Sequence, residues 1–266
     1  DEVQALKRLT RYHQGLKQEL ATVKTQAICV LDAYFPEYAG LFSDMFGTAS
    51  LKVLAECPTP SEASRKRTSS IARLLSEGSH GRLGAERAAE IKSAAKSSVG
   101  IRLGEDAASF QIKTMVTQVE FLNRTIAKVE REVASLLEKV EPNITTVPGI
   151  STTTGAQIVA EIGDVKRFKG AASIVKYAGL NSGVDESGMF SAEGVPITKH
   201  GSPYLRRSLW LAANRARQYD PRLKAFYDKK RREGKPHRVA VTAVARKLCH
   251  VVYAVMRDGE PYDPSK

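Results

Sequence analysis

The stretch "LKRLTRYHQGLKQELATVKTQAICVLDAYF" fills residues 6–35, and its apolar positions decide what the chain can fold into. Leu6, Leu9, His13, Leu16, Leu20, Val23, Ala27, Val30 and Tyr34 follow one another at alternating intervals of three and four. That alternation is the heptad seam of a helix that packs lengthwise on another helix, with His13 as its polar member. Pro36 ends it. The same alternation returns at Ile112, Met115, Val119, Leu122, Ile126, Val129, Val133, Leu136 and Val140, and Pro142 closes it. Two such helices, each about 50 Å long at 1.5 Å per residue, can lie antiparallel and share the seam.

The segment between them, 37–104, then sits at one tip as a helical insertion. Thr59-Pro60-Ser61-Glu62 reads as a cap with proline entering the first turn, and the glycines at 78, 81, 84, 100 and 104 separate short helices. After residue 142 the pattern changes to compact helices. One follows the Pro-Gly turn of "VPGIS" (147–151), and others lie at about 170–179, 202–217, 221–233 and 236–256. Pro203, Pro221 and Pro236 fall near helix starts, and Asp220 is placed to cap the helix at Pro221. No stretch reads as a strand of convincing length. The predicted fold class is all-α: long antiparallel coiled-coil helices with a helical tip insertion, 1–141, and then a compact helical domain, 142–266.

With 42% hydrophobic residues in 266, the chain can bury a substantial core. Cys29, Cys57 and Cys249 are odd in number and scattered, which fits neither a disulfide framework nor a zinc site and points to a reducing cytoplasm. No apolar run approaches the ~20 residues of a membrane span, so no membrane is expected. The chain opens in mid-helix without an initiator Met and reads as a fragment.

The net charge is +12, and its location is informative. Residues 1–141 hold 20 Lys/Arg and 18 Asp/Glu, whereas residues 199–247 alone hold 15 and 3. An excess confined to one helical stretch suits a docked polyanion, nucleic acid first. Lys199, Arg206, Arg207, Arg215, Arg231 and Arg232 are the candidate phosphate contacts. In "VPGIS" the turn resembles a helix-hairpin-helix hairpin, which offers backbone N–H groups and a helix N-terminus to a phosphate through Gly149 and Ser151. Equally, it could be a tight helix–helix turn without a ligand. "DESGMFSAEG" (185–194) poses a similar choice. Ser187 lies among glycines with cations downstream, but no His/Asp pair stands near it in sequence; it is a turn residue or a nucleophile.

The run "TTVPGISTTTGAQIVAEIGDVKRFKGAASIVKYAGL", then "ESGMF" and "ITKHGSPYLRRSLWLAA", resembles the C-terminal domain of the insertion-sequence transposase family called one-ten, one-sixteen or nine-oh-two. The match is strong over about 144–214 and looser upstream. The chain departs from the family pattern at Ser151, Ser182, Thr198 and His200. The resemblance implies a recombinase in which the serine of the "SG" motif, Ser187, attacks DNA and forms a phosphoserine link. It also implies an N-terminal RuvC-like domain whose acidic residues hold Mg²⁺, a coiled coil that makes a homodimer or higher homo-oligomer, and a structured guide RNA. No metal ligand or cofactor is assigned within this chain, and the acidic domain is expected to lie outside it. The rival reading is a non-catalytic helical module for nucleic-acid binding and dimerisation.

Overall fold

The computed structural model describes residues 1–181, 186–187, 190–191 and 196–264, with the backbone alone at 186, 187, 190 and 191. Among the described residues the chain is helical apart from one two-residue ladder, Glu186–Ser187 paired antiparallel with Phe190–Ser191. The eleven α-helices there are α1 (Glu2–Tyr34), α2 (Thr48–Glu56), α3 (Pro60–Arg65), α4 (Thr68–Ser79), α5 (Ala85–Ser97), α6 (Glu105–Val140), α7 (Thr152–Ile162), α8 (Ala171–Tyr177), α9 (Pro203–Tyr219), α10 (Pro221–Arg232) and α11 (His237–Asp258). They form two compact units, residues 15–127 and residues 1–14 with 128–266, so the division falls within α1 and α6.

In the unit of residues 15–127, the long helices pack together along the predicted stripes, with the end of α1 against the start of α6. The N–H of Ile101 donates to the carbonyl of Ala33 at 2.9 Å, and Gly104 leaves room for the Tyr34 hydroxyl. The buried rows are Leu16, Leu20, Val23, Ala27 and Leu31, and Ile112, Val116, Val119, Leu122 and Ile126. Leu31 and Val116 replace the expected Val30 and Met115. A helix turns every 3.6 residues rather than 3.5, so a straight seam drifts toward the next residue within a few turns. The insertion is helical as expected. Thr59 caps α3 by accepting from the Glu62 N–H, and α4 packs on both α2 and α5. Gly78 lets α4 approach α2 closely, since a Cβ there would lie 2.8 Å from the Ala49 nitrogen.

In the other unit α7 is the central helix, buried at every position from Gly155 to Ile162. It packs on α9, which packs on α10 and α11. Ser202 and Asp220 cap α9 and α10 ahead of Pro203 and Pro221. Contrary to the sequence reading, α11, at 22 residues, is long and apolar enough to cross a membrane by length and composition, its most apolar 18-residue stretch having a mean hydropathy of 1.5. Arg246 and Lys247 interrupt its apolar run, which hid it from a simple scan. Its Ala240, Val241, Val244, Ala245, Leu248, Cys249 and Val252 are buried in the core, against α8, α9 and α10.

Candidate functional site

The frame of the site is a polar seam buried between α1, α7 and α9. Glu161 of α7 is 1% exposed. The Arg11 guanidinium donates to both its oxygens, from Nε at 2.7 Å and Nη2 at 3.1 Å, and the Ser202 hydroxyl donates at 2.8 Å. Burial works against the charged form, yet the hydrogen bonds from Arg11 and Ser202 and the charge of Lys7 outweigh it. The Glu161 carboxyl is held below the usual range. One turn earlier, Gln157 donates to Gln14 at 3.0 Å and accepts from Ser208 at 2.8 Å. No buried side-chain nitrogen or oxygen in this seam lacks a partner, which is what makes its burial tolerable. Because Ser202 also accepts from the Leu205 N–H, the Glu161 carboxylate fixes the first turn of α9.

Just before α9 the chain closes on the end of α8 through strained or glycine-only backbone. Lys199 has φ +55, Gly179 φ +65 and Gly201 φ +124. A Cβ on Gly201 would collide with the Tyr177 carbonyl, so the approach requires glycine. Arg206 bridges the junction by donating from Nη1 to the carbonyls of Ala178 and Lys199, at 3.0 and 3.1 Å. Asn181 and Thr198 are joined twice, backbone to backbone at 3.0 Å and side chain to side chain at 2.9 Å. They bracket the segment carrying Ser187. The ladder pairs the Ser187 backbone with Phe190, and its side chain lies outside the described residues.

The remaining candidates separate by environment. Gly149 adopts φ +85 in a tight turn closed by the Ile150 N–H on the Val147 carbonyl at 3.1 Å, and the turn is pressed against α9 at Ala212 and Ala216. Ser151 caps α7 by accepting from the Thr154 N–H. Lys199, Arg207, Arg215, Arg231 and Arg232 are exposed. Arg207 and Arg215 lie two turns apart on the outer face of α9, with exposed Leu211 between them. Arg231 also donates to the Lys235 carbonyl at 2.7 Å, tying the end of α10 to the turn that follows.

Sequence reasoning missed the Arg11–Glu161–Ser202 frame, whose members lie up to 191 positions apart. It also passed over "VKRFK" (165–169), whose alternation of cations with an aromatic ring is a local signal. There the Arg167 guanidinium stacks on Phe168 and Tyr177, 4.6 and 4.9 Å from the ring centroids. Among the described residues no group of three His, Cys, Asp or Glu could hold a metal ion.

The geometry defines a helical domain with a basic outer face set on a buried ion-pair frame. Residues 141–228 match the family described as Transposase IS116/IS110/IS902. It is 33% identical over 137 residues to the insertion element IS110 uncharacterized 43.6 kDa protein of Streptomyces coelicolor, covering 51% of this chain and 34% of that protein. To the pilin gene-inverting protein of Moraxella bovis it is 30% identical over 122 residues, 45% of this chain and 38% of that one. To the insertion element IS116 uncharacterized 44.8 kDa protein of Streptomyces clavuligerus it is 27% identical over 183 residues, 67% and 45% respectively. The chain spans less than half the length of these relatives.

Proposed function

We propose that the chain is the DNA-engaging part of a transposase or recombinase, and that Ser187 is its nucleophile. The family match over 141–228 carries this reading. The exposed cations of α9 and α10 support it, because they offer a polyanion a track on a rigid base. The relative named for pilin gene inversion extends the reading from element movement to inversion of a DNA segment.

In the proposed step the Ser187 Oγ bonds to the scissile phosphorus, one P–O bond to the adjoining nucleotide breaks, and the released oxygen takes up a proton. The phosphodiester is conserved as a phosphoserine link, so the strand can be rejoined without an external energy source. Nearby cations would stabilise the charge that builds on the phosphoryl oxygens. Lys199 and Arg207 are exposed and lie close in sequence to the bracketed segment, whereas Arg206 serves as a clamp on the junction.

A structured guide RNA, an acidic Mg²⁺-holding domain outside this chain and a cytoplasmic site of action belong to the same reading. So does a homodimer, for which Phe110 and Phe121 on α6 are 73% and 59% exposed. Replacing both with Ser should shift sedimentation toward the monomer while keeping the helical signal, and an unchanged profile would remove that surface from consideration.

The binding part is tested by titrating duplex DNA across salt. Log affinity should fall with log salt at about −0.9 per phosphate neutralised. Arg231→Glu with Arg232→Glu should weaken all sequences alike. Binding that does not depend on salt would refute the electrostatic track.

A further inference from the structure

Between the "VKRFK" stretch and the Asn181–Thr198 bracket lies a cleft of about 600 Å³ that the proposed chemistry leaves unused. Its size falls within the roughly 300–1,000 Å³ of small-ligand sites. Phe168 and Tyr177 form aromatic walls, with ring centroids 5.4 Å apart and planes tilted by 59°. Lys176, His200, Asn181 and Thr198 also line it. Arg167 is not a lining residue: it lies against the same two rings and is tied by Nε to the Ile162 carbonyl at 3.1 Å, so it braces the walls. Tyr177 is fixed further by its carbonyl, which accepts from the Ser202 N–H at 3.0 Å. The walls are thus in place before any ligand arrives.

Among the described lining residues the formal charge has one sign, that of Lys176. Lys169 and Lys199, next in sequence to the lining residues Phe168 and His200, are exposed as Lys176 is, and no carboxylate is among the described lining residues. The acidic side chain on this stretch, Asp164, accepts from the Lys166 N–H at 2.9 Å. Aromatic walls beside exposed lysines match a nucleotide: the base stacks on the rings and its phosphates meet the lysines. A base inside a duplex is already stacked on both sides, so only one that has left the stack could enter. The bracket at the cleft's edge closes the segment that carries Ser187.

We propose that this cleft takes one unstacked base of the DNA strand, close to the phosphate that Ser187 would attack. The inference rests on the reading of the chain as a DNA recombinase. It assigns Phe168 and Tyr177 as the stacking platform and Lys176 as a contact to that nucleotide's phosphate.

The test uses the whole chain and a single-stranded DNA carrying one 2-aminopurine, whose fluorescence is quenched on stacking. Wild type should quench the probe. Phe168→Leu and Tyr177→Leu should abolish the quenching and lower single-strand affinity by about tenfold, within the range of one lost base–aromatic stack. Duplex affinity should change by less than twofold, because the cations of α9 and α10 are untouched. Tyr177→Phe keeps the ring and should keep the quenching, which separates a stacking role from general damage to α8. An oligonucleotide abasic at the probe position should bind as weakly as the Leu variants see the intact one. Unchanged quenching in both Leu variants, or an abasic strand bound at full affinity, overturns the inference. Wild-type binding of duplex with no quenching overturns it while leaving the DNA reading standing; no DNA binding of any kind overturns both. Quenching of an RNA probe but not of its DNA counterpart overturns the assignment to DNA.

Discussion

Replacing Gly149 with Ala asks whether the Pro-Gly turn is a phosphate contact or a packing device. The structure argues for packing. An alanine Cβ would sit 2.6 Å from the Ala216 Cα and 2.9 Å from the Ala212 carbonyl oxygen, and closer still to the Ala216 nitrogen. These are backbone atoms of a helix, so no side chain can swing aside. The glycine also holds φ +85, which costs an L-residue about 1–2 kcal/mol. Displacing α9 adds the cost of overpacking, about 1–3 kcal/mol. Together these predict a loss of about 2–5 kcal/mol, a large part of the roughly 5–15 kcal/mol that holds a typical domain. At guanidinium m-values of roughly 2–6 kcal/mol/M the midpoint should fall by about 0.3–2.5 M, near 1 M at the central values. The assay is guanidinium unfolding followed by far-UV dichroism and by Trp210, the chain's single tryptophan, which lies on α9. Gly15→Ala is the internal control. It lies within α1 with nothing within 4 Å of a built Cβ, and should gain up to about 1 kcal/mol. If Gly149→Ala keeps the wild-type midpoint and loses only DNA affinity, the packing argument is wrong and the turn is a phosphate contact.

Two further expectations concern chemistry away from DNA. Cys29 is exposed, whereas burial pushes the thiols of Cys57 and Cys249 up to about 11 and about 12. One thiol per native chain should therefore react with a disulfide reagent at neutral pH and three in denaturant; rapid reaction of two or three natively would contradict the packing around them. Glu161 is held below its ordinary value of 4.5, so its contribution is present above about pH 4.5 and is lost as pH falls through the lowered folded value. Glu161→Gln should cost about 1–2 kcal/mol at pH 7, discounted because Arg11 is 44% exposed, and should flatten the acid limb of the stability profile. An acid limb identical to wild type would show that the Arg11–Glu161 pair is not the group that titrates.

What the sequence could disclose follows from the range of the forces involved. Helix seams and caps are local: Leu16, Leu20 and Leu122 lie where periodicity puts them, and Thr59, Ser202 and Asp220 cap the helices that their prolines open. Drift along the seam is a packing outcome, and it moved burial from Val30 to Leu31 without changing the fold. The Glu161 frame was invisible because a glutamate in an apolar helix reads as a surface residue until Arg11 and Ser202 arrive from distant segments. Arg206 and Arg207 are adjacent in sequence and identical in type. Only the fold separates them, one clamped on two carbonyls and the other facing solvent. The charge sum located the basic face, but it could not tell the structural cations from those available to a ligand.

The central claim is that Ser187 attacks DNA, and the most direct measurement is a search for the bond it would form. Labelled DNA is incubated with the chain, the acidic domain, Mg²⁺ and the guide RNA that the reading requires, then resolved under denaturing conditions. The account predicts a covalent protein–DNA species that is lost in Ser187→Ala while DNA affinity stays close to wild type, and that persists in Ser182→Ala and Ser191→Ala. An adduct that survives in Ser187→Ala, or disappears only in one of the other two, would contradict it.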